Sequence, residues 1–188
     1  MNNHKHMKNQ NKKAKKSKGR KATLLKQKRI PRGFGAVTPY LVINGAANAI
    51  EFYKNAFGAR KLGVATMPDG KILHARIKIG DSIVMLSDEF PGSTNTSSPT
   101  SLGGSTVTMH IYSNNVDKLW QKALEAGAKI ALPIDDQFWG ERYGKLLDPF
   151  GHNWSLSMQV SMGKKEREAK RHAAMKMFSQ VKDPDKFE

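Results

Sequence analysis

Residues 40–59 read YLVINGAANAIEFYKNAFGA, and this stretch decides the fold. Its opening continues the strand-like run Val37–Ile43. Asn44 and Gly45 then break the run, and a helical pattern follows. Ala46, Ala49, Ile50, Tyr53 and Phe57 recur at spacings of three and four, so they share one helix face. Gly58-Ala59 ends the pattern, with glycine at the left-handed position that closes many helices. The same grammar returns downstream. Thr106–Tyr112 reads as a strand and Asn114-Asn115 as a break. Val116, Leu119, Trp120, Ala123, Leu124 and Gly127 then line one helix face, and Gly127-Ala128 is the stop. An asparagine near each start can cap free N–H groups.

Three strand signals follow each helix. In the first half they are Leu62–Met67, Lys71–Ile79 and Ser82–Ser87. Leu73, Ala75, Ile77 and Ile79 alternate with His74, Arg76 and Lys78, the period of a strand with one apolar face. In the second half the signals are Lys129–Pro133, Arg142–Leu147 and His152–Val160, with a turn at 148–151. Each half is thus a βαβββ module. The helix covers one face of its sheet, and the other face needs a partner. The expected architecture is α+β: two tandem βαβββ modules forming a curved sheet with a shared cleft. Expected boundaries are a disordered basic arm over 1–33, modules over 34–92 and 105–160, a linker over 93–104, and a C-terminal helix and tail over 161–188.

The chain has 188 residues and a formal charge of +16. The charge is uneven: residues 1–33 carry +13, residues 34–160 are neutral and residues 161–188 carry +3. The arm has too little apolar surface to offset its ordering entropy. It is either a nonspecific nucleic-acid contact or a solvated tail. No run is long and apolar enough to span a bilayer. The chain has no cysteine, which excludes disulfides, a thiol nucleophile and cysteine-based metal sites. A soluble, cytoplasmic protein is expected. The body has no phosphate loop, HExxH or helix-turn-helix pattern.

Two stretches carry a resemblance. Tyr40–Gly45 with Ala49–Ala59 is similar to the opening module of the vicinal oxygen chelate superfamily, the glyoxalase, bleomycin-resistance and dioxygenase fold. FWGERYG at 138–144 and DPFGHNWS at 148–155 resemble its PhnB-like branch. The resemblance covers about residues 37–160. It implies four metal-ligand positions, which fall on Thr38, Met85, Thr108 and Ser155. None is His, Glu or Asp, the ligands that strong oxygen and nitrogen sites use. Slips of one or two residues give no better set. No metal and no cofactor are therefore expected.

Alternation from those four positions places Tyr40, Val42, Ile83, Ser87, Thr106, His110, Asn153 and Ser157 on the cleft face. The candidate ligand-binding residues are Tyr40, Met85, Thr108, His110, Trp139, Arg142 and Ser155. His110 is the candidate general base or hydrogen-bond donor, against a satisfied structural histidine. Trp139, Arg142 and Tyr143 read as a lid, with Arg142 paired to a ligand anion or to a nearby aspartate. His74 reads as part of a solvated outer face, against a pairing with His110. The expected partners are an unidentified small molecule and a second copy of the chain. The leading expectation is a metal-independent small-molecule-binding protein. A lyase, isomerase or dioxygenase of the same fold is the enzymatic alternative, and a nucleic-acid-associated protein is the other.

Overall fold

The computed structural model describes residues 30–92 and 97–180. The basic arm read over 1–33 lies, up to residue 29, outside the described residues. The chain divides into two units, 1–37 and 38–188, and both modules belong to the second. In the first unit, Phe34 N–H donates to the Pro31 carbonyl at 3.2 Å and closes a turn.

The first module runs β1 (Tyr40–Ile43), α1 (Ala46–Phe57), β2 (Arg60–Thr66), β3 (Ile72–Ile79) and β4 (Ser82–Asp88). A short α2 (Pro99–Leu102) follows. The second module runs β5 (Thr108–Tyr112), α3 (Val116–Glu125), β6 (Lys129–Gln137), β7 (Glu141–Leu147) and β8 (Asn153–Gln159), before α4 (Lys164–Gln180). Two four-stranded mixed sheets result, ordered β1-β4-β3-β2 and β5-β8-β7-β6. In each, the first strand pairs in parallel with the last, and the other pairings are antiparallel.

The helices occupy a core shared by both modules. Every residue of the predicted α1 face is buried. α1 packs on β1, β3 and β4 and also on α3, which in turn lies on β8. The Trp154 ring, 1% exposed, sits 5.3 Å from Tyr53 and 4.6 Å from Phe57, so the two modules meet through aromatic contact. Leu41, Ile43, Val84 and Leu86 point into this core, as do Trp154 and Leu156. Alternation then turns Tyr40, Met85, His110 and Ser155 to the opposite, open faces of the two sheets.

Two local readings need correction. Leu73 is 51% exposed, and Ile72 is buried in its place. In the β2–β3 ladder Thr66 faces Ile72 and Ala65 faces His74, which leaves Leu73 unopposed in a bulge. The start of α1 is also not capped by Asn44. Its N-cap is Gly45, at φ 89°, with no side-chain bond of its own. Asp88, from the end of β4, accepts from Gly45 N–H at 3.0 Å, Ala46 N–H at 2.8 Å and Ile72 N–H at 2.6 Å. One buried carboxylate thus fixes the helix start against two strands, and a negative group is favoured at that end of the dipole. In α3 the expected cap is present: Asn115 accepts from Lys118 N–H at 3.2 Å.

His152 is buried in the seam, and its Nε2 has no partner among the described residues. Burial pushes its pKa down, against the opposing pull of the Asp148 carboxylate and the Val42 backbone. A histidine with a depressed folded pKa takes its proton first in the unfolded chain. Its contribution is therefore complete above about pH 6.5 and declines as pH falls toward the lower folded value. Urea unfolding is expected to show a falling midpoint from pH 7 to pH 5, and His152→Gln to flatten that fall. An equal slope in both proteins would place its origin elsewhere.

Candidate functional site

The open face of the second sheet gathers the densest set of polar and aromatic side chains outside the core. The ladder places Ser157 between Tyr112 on β5 and Tyr143 on β7. Ser155 lies between His110 and Lys145 in the same way. His110 Nδ1 is 2.7 Å from Ser155 Oγ. Its ring meets Tyr112 edge-on at 4.5 Å and lies near-parallel to Tyr143 at 6.1 Å. Trp139, in the turn between β6 and β7, sets its ring edge against Tyr143 at 5.6 Å.

Glu141 joins the two ends of this row. Tyr112 Oη donates to its Oε1 at 3.0 Å, and Trp139 Nε1 donates to its Oε2 at 3.1 Å. Burial raises the Glu141 pKa, but Tyr112, Ser157, Trp139 and the nearby His110 together outweigh it and hold the carboxyl below its ordinary value. Glu141 is therefore ionised at neutral pH. The same bond raises the Tyr112 pKa, because Glu141 favours the neutral phenol. Ser157 is fully buried beneath this row, and its hydroxyl helps to hold the Glu141 charge.

The first sheet carries a smaller cluster. Tyr40 pairs with Met85, and Met85 with Arg76. His74 Nδ1 is 3.4 Å from Tyr40 Oη, and the two rings are 5.7 Å apart. His74 is half-buried on the same open face as Tyr40 and Met85, not on a separate solvated surface. The reason is topological: once α1 covers one face of a βαβββ sheet, only the open face is left. His74 and His110 belong to different sheets, each with its own neighbours.

Arg142 stands apart from both clusters. Its guanidinium bonds Asp117, in the first turn of α3, at 2.8 Å, and Asp136 at 3.2 Å. These carboxylates raise its pKa, with the Asp117 hydrogen bond the largest cause. Gly144, two residues on, lies beneath the Trp120 ring of α3, so this side of β7 is the helix side. The guanidinium is paired with aspartates on the helix side of β7, opposite the open face. Thr108 is exposed at the start of β5, paired with Asn153.

The sequence reading did not mark Tyr112 or Glu141. The signal was present, since Tyr112 follows His110 by two and Glu141 precedes Tyr143 by two. Among the described residues no three His, Asp or Glu side chains converge to hold a metal ion. The four positions read from the sequence as metal ligands, Thr38, Met85, Thr108 and Ser155, offer three hydroxyls and a thioether, a donor set that does not fit a divalent ion.

Residues 34–156 match the Glyoxalase/Bleomycin resistance protein/Dioxygenase superfamily, and the chain belongs to that family. It is 48% identical over 127 residues to the protein Rv0887c of Mycobacterium tuberculosis, covering 66% of this chain and 75% of that one. Among solved structures, TioX from Micromonospora sp. ML1 is similar at 27% identity and a TM-score of 0.52, over 69% of this chain and all of that one. The PhnB protein from Bacillus cereus shares the fold at 19% identity and a TM-score of 0.51, over 66% of this chain and 99% of that one. The helix α4 lies beyond the matched residues.

Proposed function

We propose that the chain is a metal-independent small-molecule-binding protein whose site is the open face of the second sheet. The observation that carries this reading is the closed set of His110, Tyr112, Trp139, Glu141 and Tyr143 over Ser157. Structural aromatic residues bury their rings, whereas here Tyr112 is 66% and Trp139 47% exposed beside an ionised carboxylate. Exposed rings with fixed polar groups between them are the usual furniture of a ligand site. His110, held through Nδ1 by Ser155, orients a ligand by hydrogen bonding. Trp139 covers the site from the β6–β7 turn. Tyr40, His74 and Met85 on the first sheet face the same kind of open space. A second copy of the chain is the proposed cover for these faces, which one chain leaves exposed. The test is whether a bound small molecule stays on the full chain after divalent ions are stripped, and a ligand lost with the ions would refute the reading.

A further inference from the structure

The side chains on the second sheet close into a ring of five. Tyr112 meets His110, His110 meets Tyr143, Tyr143 meets Trp139, Trp139 bonds Glu141, and Glu141 bonds Tyr112. Four members are aromatic and one is a carboxylate. Below them lies Ser157, fully buried.

We propose that this ring takes an organic cation, an ammonium carried on an apolar group. The inference rests on the small-molecule site proposed above and names its ligand class. Three arguments converge. The faces of Tyr and Trp rings are electron-rich and attract ammonium groups that approach within about 6 Å. Glu141 supplies a full negative charge at the rim, held ionised by its own hydrogen bonds. Two cations near this part of the chain are directed elsewhere. Arg142 is spent on Asp117 and Asp136 on the helix side, and Lys170 on the Asp136 carbonyl at 2.9 Å. Lys145 shares the open face but lies beside Ser155, four register positions along the ladder from Glu141. An anionic ligand would meet the Glu141 charge at the rim, and His110 is the one ring member that can carry a positive charge, beside that carboxylate.

The Trp139 indole N–H is a direct reporter, because it donates to Glu141. The isotope-labelled full chain is titrated with benzylammonium, benzyltrimethylammonium, benzyl alcohol and benzoate, and the Trp139 Nε1–H resonance is followed. The expected result is saturable movement with both cations, at affinities at least tenfold above the alcohol, and none with benzoate in the same range. Glu141→Gln is expected to bring the cations down to the affinity of the alcohol. Tyr112→Leu, which keeps the carboxylate and removes a ring, is expected to weaken the cations at least fivefold and serves should the first variant not fold. Binding of the alcohol or benzoate as tight as the cations overturns the ligand class and leaves the binding site standing. Cation binding unchanged in both variants overturns the class as well. No movement with any probe counts against the class and against the site itself.

Discussion

Replacing Asp148 with alanine is expected to be among the most destabilising single changes in the folded unit. The carboxylate is 4% exposed and sits where the two modules meet. It accepts from Tyr53 Oη of α1 at 2.8 Å and from Trp154 Nε1 of β8 at 2.9 Å. It also accepts from Phe150 N–H at 2.9 Å and His152 N–H at 2.8 Å, which closes its own turn. Alanine leaves buried donors of Tyr53, Trp154 and His152 without an acceptor. Each orphaned buried group costs about 1–3 kcal/mol. The total is about 3–5 kcal/mol, the range seen when a buried charged partner is removed. Such a loss takes much of the ~5–15 kcal/mol that holds a typical domain folded. Thermal unfolding followed by circular dichroism is expected to shift down by roughly 10 °C or more. Asp148→Asn keeps one acceptor oxygen and is expected to lose less. A shift of only a degree or two for the alanine variant would mean that the modules are held together elsewhere.

Gly144→Ala is the second large effect, and it acts by adding rather than removing atoms. A Cβ at this position would lie 2.6 Å from Trp120 Cζ3, 2.8 Å from Trp120 Cη2 and 2.9 Å from Ile134 Cα. Trp120 is 4% exposed and fixed between α3 and the sheet, and Ile134 Cα is backbone, so neither yields easily. Overpacking of this kind costs about 1–3 kcal/mol. The backbone of Gly144 is not in the left-handed region, so the cost is contact and not strain. The prediction therefore has an internal control. In a Trp120→Leu background, which removes the colliding ring edge, adding Gly144→Ala is expected to cost less than in the native background. Urea midpoints of the four proteins give the coupling directly, and strict additivity would contradict the assigned clash.

These two residues also mark what the sequence does and does not disclose. The α1 face was legible because a helix repeats its apolar positions at a spacing that needs no tertiary information. The duplicated module was legible because both copies punctuate the same elements with asparagine and glycine. Asp148 read only as a turn residue. Its role depends on Tyr53, 95 positions away, and spacing does not encode that contact. The same applies to Asp88, which caps a helix that begins 42 residues earlier. Leu73 fitted the alternation and still lies outside, because a bulge on β2–β3 shifts the count by one.

The site was legible in part. His110 and Ser155 fell on the same face, and the structure joins them by a 2.7 Å contact. Trp139 is at the rim of that face. The charge of Arg142 suits a ligand anion, and Gly144 marks its side of β7 as the helix side. A strand glycine under a helix tryptophan is a packing signal, and residues two positions away share its face. By that signal Arg142 shares the helix side with Gly144, and Glu141 and Tyr143 lie on the open face.

The most direct test of the account measures metal and ligand together. The full chain is purified from its own cells without chelator, its metal content is determined by elemental analysis, and bound small molecules are identified by native mass spectrometry before and after EDTA treatment. The account predicts well under one divalent ion per chain and a bound small molecule that remains after EDTA. Near-stoichiometric zinc, nickel, iron or manganese, with the small molecule lost when the ion is withdrawn, would contradict it.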